Sequence, residues 1–428
     1  MRIPLLLTSL IAILTVSLLL GGAWLALHPR GPALVAATFS HTAITPNADG
    51  NQDVTRISYQ LQRPATLSIY FLDQAGQRFY FRRDKPREAG EHQIDFSGIV
   101  DPYHLPSDRF PGEIQARVLP DGDYTWVIEA QDGQDPSGRL TGTLTLTNTD
   151  TSLPELLNLT VSPDVFTPNQ DGLDDRANIN IYLTKEIDPD GLHAFLIDAQ
   201  GVRLPIAEKA SDLKPGQRGL HAYDYDGGID LGVNPPADGT YTVRVEAADR
   251  LGQKTAVTGT LAIANGGLPR AEVLNGEVNF SATTLVLGQT LYFTLTVENY
   301  GMAPIRTSGP DAGWIYDSMN SNANTLGQYE ESGAWRVGID CDTCIRDYPW
   351  RWALGTPQTL TPLTENGQIH YYLMPGQRAT VTGGIVLDNI IESRNPQYFW
   401  AGLIHEDVEI SAVNNGVGRE FITLVPMQ

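Results

Sequence analysis

Short stretches in which large apolar residues alternate with polar ones recur along most of the chain, and this period of two predicts β-strands. Residues 124–130 and 241–247 alternate in this way, as half-buried strands do. The apolar runs at 67–72 and 194–197 are each followed by a turn that contains Asp and Gly. Sustained helical periodicity occurs only near the N-terminus. Several short strands separated by Gly, Pro and Asp turns predict an all-β fold made of sandwiches.

The N-terminal region departs from this pattern. From Pro4 to Leu27 it has no charged residue and consists mostly of Leu, Ile, Val and Ala. Its length matches the roughly 20 residues with which a helix crosses a bilayer, and a cleavable signal peptide has only ~7–15 apolar residues. We therefore expect a single-pass signal anchor at the cell membrane, with Arg2 inside and the rest of the chain outside. Small residues near Ala33 leave cleavage and secretion as the alternative.

Two segments of the chain repeat each other. Thr45–Gly50 (TPNADG) recurs 122 residues later as Thr167–Gly172 (TPNQDG). Asp121–Thr125 (DGDYT) recurs 117 residues later as Asp238–Thr242 (DGTYT). The spacing differs by five residues between the two ends, as expected when loops vary in length and strands are kept. The repeats predict two homologous domains, and the turn-rich stretches 148–154 and 265–269 are the expected linkers.

These motifs resemble known bacterial surface modules. The segments ending at Tyr124 and Tyr241 resemble the Ig-like domain of flagellar-hook capping proteins. The segments 45–53 and 166–175 resemble the Phe-Thr-Pro-Asn-Gly-Asp-Gly motif of large secreted proteins, with Ala48 and Gln170 in place of the first motif Gly. The resemblance implies an Ig-like fold and an extracytoplasmic compartment. It says little about activity, because such modules serve many functions.

The composition of the chain changes after residue 270. A Gly288–Gln289 turn lies between two apolar runs, and Asn299–Pro304 follows. This pattern resembles the bacterial cell-adhesion-related domain (CARDB), another β-sandwich, and residues 374–387 and 398–403 resemble its later strands. Residues 307–364 match that pattern poorly and are interpreted as an insertion. The expected organisation is an anchor followed by three tandem Ig-like or fibronectin-like sandwiches, at residues 1–30, 31–150, 151–266 and 267–428.

Aromatic residues are concentrated in the third of these domains. Five of the seven tryptophans lie between residues 314 and 400. Exposed aromatic rings stack on sugars or bind protein partners, whereas buried ones pack a second small core beneath the insertion. Both interpretations are open, and exposure of Trp350 and Trp352 on one face would favour the first. The candidate ligand-binding residues are Trp314, Trp335, Trp350 and Trp352.

Charge and cysteine content narrow the range of partners. The chain has 29 Lys and Arg against 50 Asp and Glu, a net charge of −21. Such an acidic surface repels nucleic acid, so no nucleic-acid partner is expected. Cys341 and Cys344 are the only cysteines. They lack the helix N-terminus of a redox motif and the further ligands of a zinc site, so we predict a local disulfide between them.

The two Thr-Pro-Asn loops are candidate calcium sites. Calcium prefers six to eight hard oxygen ligands, and closely spaced Asp and Asn side chains around a Gly supply such oxygens. The alternative is an Asx turn, in which the same side chains accept hydrogen bonds from backbone N–H groups. The eight candidate ligands are Asn47, Asp49, Asn51, Asp53, Asn169, Asp171, Asp174 and Asp175.

A catalytic role is not expected. The chain contains no His-Glu-x-x-His, Gly-x-Ser-x-Gly or glycine-rich phosphate motif, and its eight histidines are scattered. Two hypotheses remain. The chain is a structural or adhesive spacer that presents a terminal recognition module to a protein or polysaccharide at the cell surface. Alternatively, it is a carbohydrate-binding accessory protein of an envelope or secreted hydrolase system.

Overall fold

The fold is almost entirely β. The computed structural model describes residues 9–10, 12–20, 31–132, 138–317, 320–321, 331–389 and 392–427. From residue 31 onward these residues form strands, loops and three short 3₁₀ turns, and the strands pair into layered sheets around three hydrophobic cores. The predicted all-β sandwich class is confirmed.

Most of the predicted anchor lies outside the described residues, namely residues 1–8, 11 and 21–30. The part that is described, residues 9–10 and 12–20, is helical. Within the described part of the chain, no helix reaches the length and apolar character needed to cross a membrane. The anchor therefore stays a prediction.

The three modules are named by their predicted bounds, and the described residues of the first, 31–150, contain two facing sheets. One has the order β1-β3-β6 and the other β2-β10-β9-β4-β5, with β5 at its edge. Inward-facing residues such as Ile57, Phe71 and Ile128 fill the space between them. The strands are β1 Leu34–Phe39, β2 Ala43–Ile44, β3 Thr55–Leu61, β4 Ala65–Leu72, β5 Arg78–Arg87, β6 Gly90–Phe96, β7 Ile99–Val100, β8 Glu113–Val118, β9 Gly122–Gln131 and β10 Gly138–Leu146.

The second module, residues 151–266, repeats this plan. Its strands have one buried face, as β17 illustrates. Tyr241, Val243 and Val245 of β17 are buried and their neighbours are not, so the period of two places one face of the strand on the core. The 3₁₀ turns are Pro189–Gly191 and Ile229–Leu231. The strands are β11 Leu156–Ser162, β12 Val165–Phe166, β13 Ala177–Leu183, β14 Leu192–Ile197, β15 Arg203–Ile206, β16 Gly219–Tyr225, β17 Gly239–Ala248 and β18 Lys254–Ile263.

The third module, residues 267–428, is larger. Its two strands around the Gly288–Gln289 turn form as predicted, and its 3₁₀ turn is Glu392–Arg394. The strands are β19 Ala271–Phe280, β20 Thr284–Val286, β21 Thr290–Asn299, β22 Ile305–Thr307, β23 Ile315–Asp317, β24 Trp335–Cys341, β25 Trp350–Ala353, β26 Thr361–Glu365, β27 Gln368–Leu373, β28 Arg378–Val386, β29 Gln397–His405, β30 Glu409–Ile410 and β31 Val417–Val425.

One topological feature is common to all three modules. The first strand pairs antiparallel with one sheet, and the short second strand then crosses to pair parallel with the last strand in the other sheet. The parallel pairs are β2 with β10, β12 with β18 and β20 with β31. The Thr-Pro-Asn loops follow directly after β2 and β12, and the Gly288–Gln289 turn lies in the same place after β20. The third module therefore shares the entry strands of the repeats although its sequence differs.

The repeated Asp-Gly-x-Tyr motif has a structural role. The carboxylate of Asp121 accepts backbone N–H groups from Asn148 and Thr149, 3.0 and 2.8 Å away, just after the last strand of the module. Tyr124 donates its hydroxyl to the carbonyl of Pro120, 2.9 Å away. Asp238 and Tyr241 make the equivalent bonds in the second module. The motif therefore fixes the start of one strand against the end of its neighbour.

The described residues of the insertion in the third module pack into the main core and not into a second small one, which corrects that interpretation. β24 pairs with β29 over seven residues and all seven of its side chains are buried. Trp335 and Trp352 belong to the main core together with Phe293 and Val381. The sequence of β24 alternates apolar with polar or small residues, as a half-buried strand does, but its second face is also covered, and Arg336 on that face pairs with Glu406.

The first two modules are joined by a shared sheet. β8 belongs to the first module by sequence but pairs antiparallel with β18 of the second, with Ala116 opposite Lys254 and Ile114 opposite Thr255. Phe110 and Ile114 contribute to the second core. The predicted linker is held as well, since Gln253 donates to the carbonyl of Ser152, 2.9 Å away. This junction is therefore a packed joint and not a free linker.

Candidate functional site

The first Thr-Pro-Asn loop, residues 45–53, is an Asx-type turn, here called the first Asp loop. The carboxylate of Asp53 accepts N–H groups from Asn47 and Gly50, at 3.0 and 2.7 Å. Asp49 accepts the N–H of Asn51 at 2.8 Å. Of the four candidate calcium ligands of this loop, Asp49 and Asn51 are exposed, and Asn47 and Asp53 are part-buried. Their oxygens orient the backbone just before β3.

The second Asp loop, residues 167–175, has the same internal hydrogen bonds. Asp175 accepts the N–H of Gly172 at 2.6 Å, and Asp171 accepts the N–H of Leu173 at 2.9 Å. Within the described ranges, no group of three or more His, Cys, Asp or Glu residues is placed to hold a metal. The geometry favours the Asx-turn interpretation, and calcium at either loop stays a prediction.

The surroundings of the two loops differ. The first Asp loop borders an open cleft between the first two modules. The second is buried against the third module, and its Asn169 and Asp171 are 1% and 2% exposed. We call the junction between the second Asp loop and the third module the interlock.

Backbone carbonyls of the second Asp loop are bound by side chains of the third module. Arg306 Nε donates to the carbonyl of Asp171 at 2.6 Å. His405 Nε2 lies 2.6 Å from the carbonyl of Gln170, and because a carbonyl only accepts, this nitrogen carries the proton. Burial lowers the pKa of His405 to about 4, so its ring is neutral at physiological pH. Both hydrogen bonds are made to backbone carbonyls, so they depend on the conformation of the loop and not on the identity of its side chains.

Two glycines allow the loops to approach this closely. A Cβ on Gly172 would overlap the carbonyl of Ser332, and a Cβ on Gly333 would overlap the backbone of Asp171 and Gly172. Both glycines have positive φ, at 83° and 77°, which disfavours any side chain there. The backbones of two modules therefore lie in direct contact at the interlock.

A network of buried charges supports the receiving loop of the third module. Arg306, 3% exposed, pairs with Glu331 and donates to the carbonyl of Ser332. Burial raises the pKa of Glu331, but the Ser308 hydrogen bond and the Arg306 charge outweigh it, so that pKa lies below its usual value. Behind it, Glu406 bridges Arg336 and Arg351 at 2.9 and 2.6 Å. These pairs hold the receiving loop in place for the second Asp loop.

One tyrosine at the interlock lies between two carboxyl groups. Tyr372 Oη is 3.0 Å from Asp171 Oδ2 and 2.6 Å from Glu365 Oε2. A phenol has a single proton, so it donates to only one of them, and the other contact needs a proton on a carboxyl group. Burial, together with the nearby Asp175 and Glu365 charges, raises the pKa of Asp171 to about 7. Burial also raises the pKa of Tyr372. Asp171 therefore takes up the extra proton as the pH falls below about 7.

The interlock residues of the third module could not be recognised from the sequence. Arg306, Glu365, Tyr372 and His405 come from β22, β26, β27 and β29 and lie far along the chain from residue 171. The one available signal was Arg306, which is the only charged residue between Glu298 and Asp311. A cation in such a position usually has a buried partner.

Of the four candidate tryptophans, three are buried in the third core. Trp335, Trp350 and Trp352 are 3%, 7% and 0% exposed, and only Trp314 is half-exposed at 50%. The indole N–H of Trp352 donates to the carbonyl of Trp314 at 2.9 Å. Of the two interpretations left open by the sequence, the burial of these three rings favours the one in which they pack a core.

The disulfide predicted between the two cysteines is formed. Cys341 and Cys344 are bonded, and Cys344 N–H also donates to the Cys341 carbonyl at 3.0 Å. The bond closes the turn that leaves β24, next to a groove lined by Trp350 and Phe399. It therefore fixes a short loop at the end of a buried strand.

No protein-family model matches the chain, and no curated protein matches it either. Among solved structures, an adhesin with which an Antarctic bacterium binds ice is 12% identical, with a TM-score of 0.24 over 93% of this chain and 75% of that one. A tetra-tandem repeat from the extending region of a large adhesion protein is 12% identical, with a TM-score of 0.20 over 92% of each chain. Two fibronectin type III domains of chicken tenascin are 10% identical, with a TM-score of 0.17 over 54% of this chain and 98% of that one. At such values the likeness carries no information about function. The hook-cap and CARDB resemblances stay predictions.

Proposed function

We propose that the chain is a non-catalytic, membrane-anchored spacer, in which two Ig-like modules hold the third, recognition module away from the cell surface. The partner of the third module is a protein or polysaccharide outside the cell. The proposal combines the predicted anchor at residues 1–30 with the way in which the modules are joined.

The observation that carries this proposal is the placement of the two joints. β8 of the first module meets β18 of the second at Lys254–Ala256, where that strand begins. The interlock lies beyond the other end, because β12 pairs with β18 at Ile263 and leads into the second Asp loop. The strand that carries both joints is ten residues long, or roughly 33 Å at the usual rise per residue, with one joint at each end. A module fixed at both ends transmits position and orientation from one neighbour to the other.

The carbohydrate-binding alternative has less support. It needed Trp350 and Trp352 exposed on one face, and both are buried. Buried rings cannot stack on a sugar without opening the core. The spacer is therefore the function that these residues favour.

Energy transfer from the third module to the membrane tests the spacer directly. A donor dye on the exposed residue Thr294, introduced as T294C, is combined with an acceptor lipid in the outer leaflet of intact cells. Little transfer is expected, because both the first and the second module lie between the dye and the membrane in this proposal. Efficient transfer would mean that the third module lies on the membrane.

Topology is tested on the same cells. Protease added outside should digest everything after about Gly31, and undigested protein should fractionate with membranes. Full-length protein in the cytosolic fraction would contradict the anchor, whereas a chain in the medium that lacks its N-terminal segment would show that this segment is cleaved.

A further inference from the structure

The first module has a strongly basic strand at the edge of its larger sheet. β5 contains Arg78, Arg82, Arg83, Lys85 and Arg87, which is five of the 29 Lys and Arg residues of a chain whose net charge is −21. These five residues are called the basic edge. β5 pairs with β4 as the last strand in the sheet order, and on its other side the N–H of Asp101, just after β7, donates to the Tyr80 carbonyl. Arg78, Arg83 and Lys85 are exposed, whereas Arg82 and Arg87 are part-buried.

Most of this charge is not neutralised within the chain. Among the described residues, Arg83 is the one member of the basic edge in an ion pair, 3.5 Å from Asp101. Arg78 and Arg87 donate to the hydroxyls of Tyr80 and Tyr59, and Arg82 donates to a backbone carbonyl. In an acidic chain, cations lacking carboxylate partners leave a local positive potential that reaches about 8 Å into physiological salt.

The guanidinium groups are held in place by aromatic rings. Arg78 lies over the ring of Tyr70 at 4.2 Å, Arg82 over Phe81 at 4.1 Å and Arg83 over Tyr80 at 4.1 Å. Stacking on a ring occupies the face of a guanidinium and leaves N–H groups at its rim for hydrogen bonds. Such a planar fork matches carboxylate, sulfate and phosphate oxygens.

We propose that the basic edge binds an acidic polysaccharide along β5. The cations are spread over ten extended residues, or roughly 33 Å, so the matching ligand is an extended polymer that repeats its negative charge. This surface is separate from the tryptophans of the third module. The inference does not rest on the spacer function.

Three other occupants fit the basic edge less well. Pro86 and the positive φ of Asp84, 48°, interrupt the row of backbone donors, which disfavours addition of a protein strand. No large apolar side chain of β5 is exposed for insertion into a bilayer. The rings of Tyr70, Tyr80 and Phe81 are each covered on one face by a guanidinium, which hinders the stacking of nucleic-acid bases.

Binding of the full-length chain to polygalacturonate tests the proposal. Its dissociation constant is measured from 50 to 300 mM salt, with neutral dextran, single-stranded DNA and anionic lipid vesicles as parallel probes. Polygalacturonate is expected to bind more tightly at low salt than any of these. The variant R78Q/R83Q/K85Q/R87Q should weaken binding by at least about tenfold and should flatten the salt dependence by about one slope unit for each cation that no longer pairs with the polymer.

The matched control removes the same charge from the second module. The variant K209Q/K214Q/R218Q/K254Q changes four exposed cations and should alter the dissociation constant less than about twofold, since it leaves the basic edge intact. K85E is a second test, because it reverses one charge of the basic edge at an exposed position where unfolding is not expected. It should also weaken binding to polygalacturonate. Absence of wild-type binding at 50 mM salt, equal weakening by the control, or tighter binding to DNA or vesicles would each overturn the proposal.

Discussion

The two Asp loops have nearly the same sequence and the same internal hydrogen bonds, yet one is largely exposed and the other is buried between modules. Asp53 and Asp175 both accept N–H groups of their own loop. Asp171 also contacts Tyr372 of the third module, whereas the equivalent Asp49 bonds only within its own loop among the described residues. The turn is therefore complete in itself, and its use as a joint depends on the module that follows.

The turn itself is duplicated with the repeat, whereas the interlock is added by the neighbouring third module. A local turn is encoded within nine residues and is copied together with them. The interlock needs Arg306 and Gly333 from a module with a different sequence, so it is present at only one of the two loops. Substitutions at matched positions of the two loops therefore isolate the contribution of the joint.

The largest effect is expected at Arg306. R306A removes the donor to the Asp171 and Ser332 carbonyls and leaves Glu331 without its closest cation, which should lower the free energy of unfolding by roughly 3 kcal/mol. Urea unfolding followed by tryptophan fluorescence reports this, because most tryptophans are in the third module. R56A in the first module, where Arg56 pairs with Asp95 on the exposed surface, should leave the midpoint unchanged. Equal effects of the two variants would show that Arg306 does not hold the interlock.

The next effect compares Gly50 with Gly172. Both have positive φ, 88° and 83°, so alanine adds about 1 kcal/mol of backbone strain at either position. Only at Gly172 does the new Cβ also meet the third module, which should add about 1–3 kcal/mol. Unfolding of G50A and G172A is compared by the same fluorescence assay. Identical destabilisation would mean that the two backbones separate without cost.

The third effect is a dependence on pH. The folded pKa of Asp171, about 7, exceeds its unfolded value of 3.8, so the folded state binds more protons between these values. This contribution is fully present below pH 3.8 and is lost as the pH rises through 7, by up to about 1.4 kcal/mol per unit. His405 acts in the opposite direction between pH 4 and 6.5, because its folded pKa is lowered.

The Asp171 contribution is therefore taken as the difference between wild type and D171N, with D49N as the matched control. Stability of the wild type in urea should fall relative to D171N as the pH rises from 4 to 7. Glu365, Tyr372 and Asp175 also face Asp171 and stay unchanged in both proteins. Parallel pH profiles of wild type and D171N would show that Asp171 is ionised in the folded protein.

The smallest effect concerns calcium. Since the carboxylates of both loops already accept backbone N–H groups, the melting temperature should be the same in chelator, millimolar magnesium and millimolar calcium. Bound calcium would instead stabilise the chain by about 2.7 kcal/mol at a hundredfold excess over its dissociation constant. A calcium-specific rise that D49A with D171A abolishes would establish the predicted site.

Local features of the fold were accessible from the sequence because their causes are local. The alternation at 124–130 and 241–247 places one face of each strand in the core, and the Thr-Pro-Asn repeats predict matching turns. The disulfide followed from two cysteines three residues apart. Each of these rests on residues that are neighbours along the chain.

The remaining features depend on contacts between distant segments. β8 pairs with the second module although its residues belong to the first, and nothing in its sequence indicates the partner strand. β24 alternates apolar and polar residues like a half-buried strand, yet all seven of its side chains are buried, and the pairing of Arg336 with the distant Glu406 cannot be read from that alternation. The interlock combines residues 171 and 372, which the sequence does not connect.

The central claim is that the interlock fixes the third module relative to the second. Spin labels are placed at the exposed strand residues Thr260 and Thr294, introduced as T260C and T294C. Pulsed electron paramagnetic resonance then gives the distribution of distances between the two modules. One narrow distribution is expected for the wild type, and a broad one when R306A is added. A broad wild-type distribution that R306A leaves unchanged would contradict the claim.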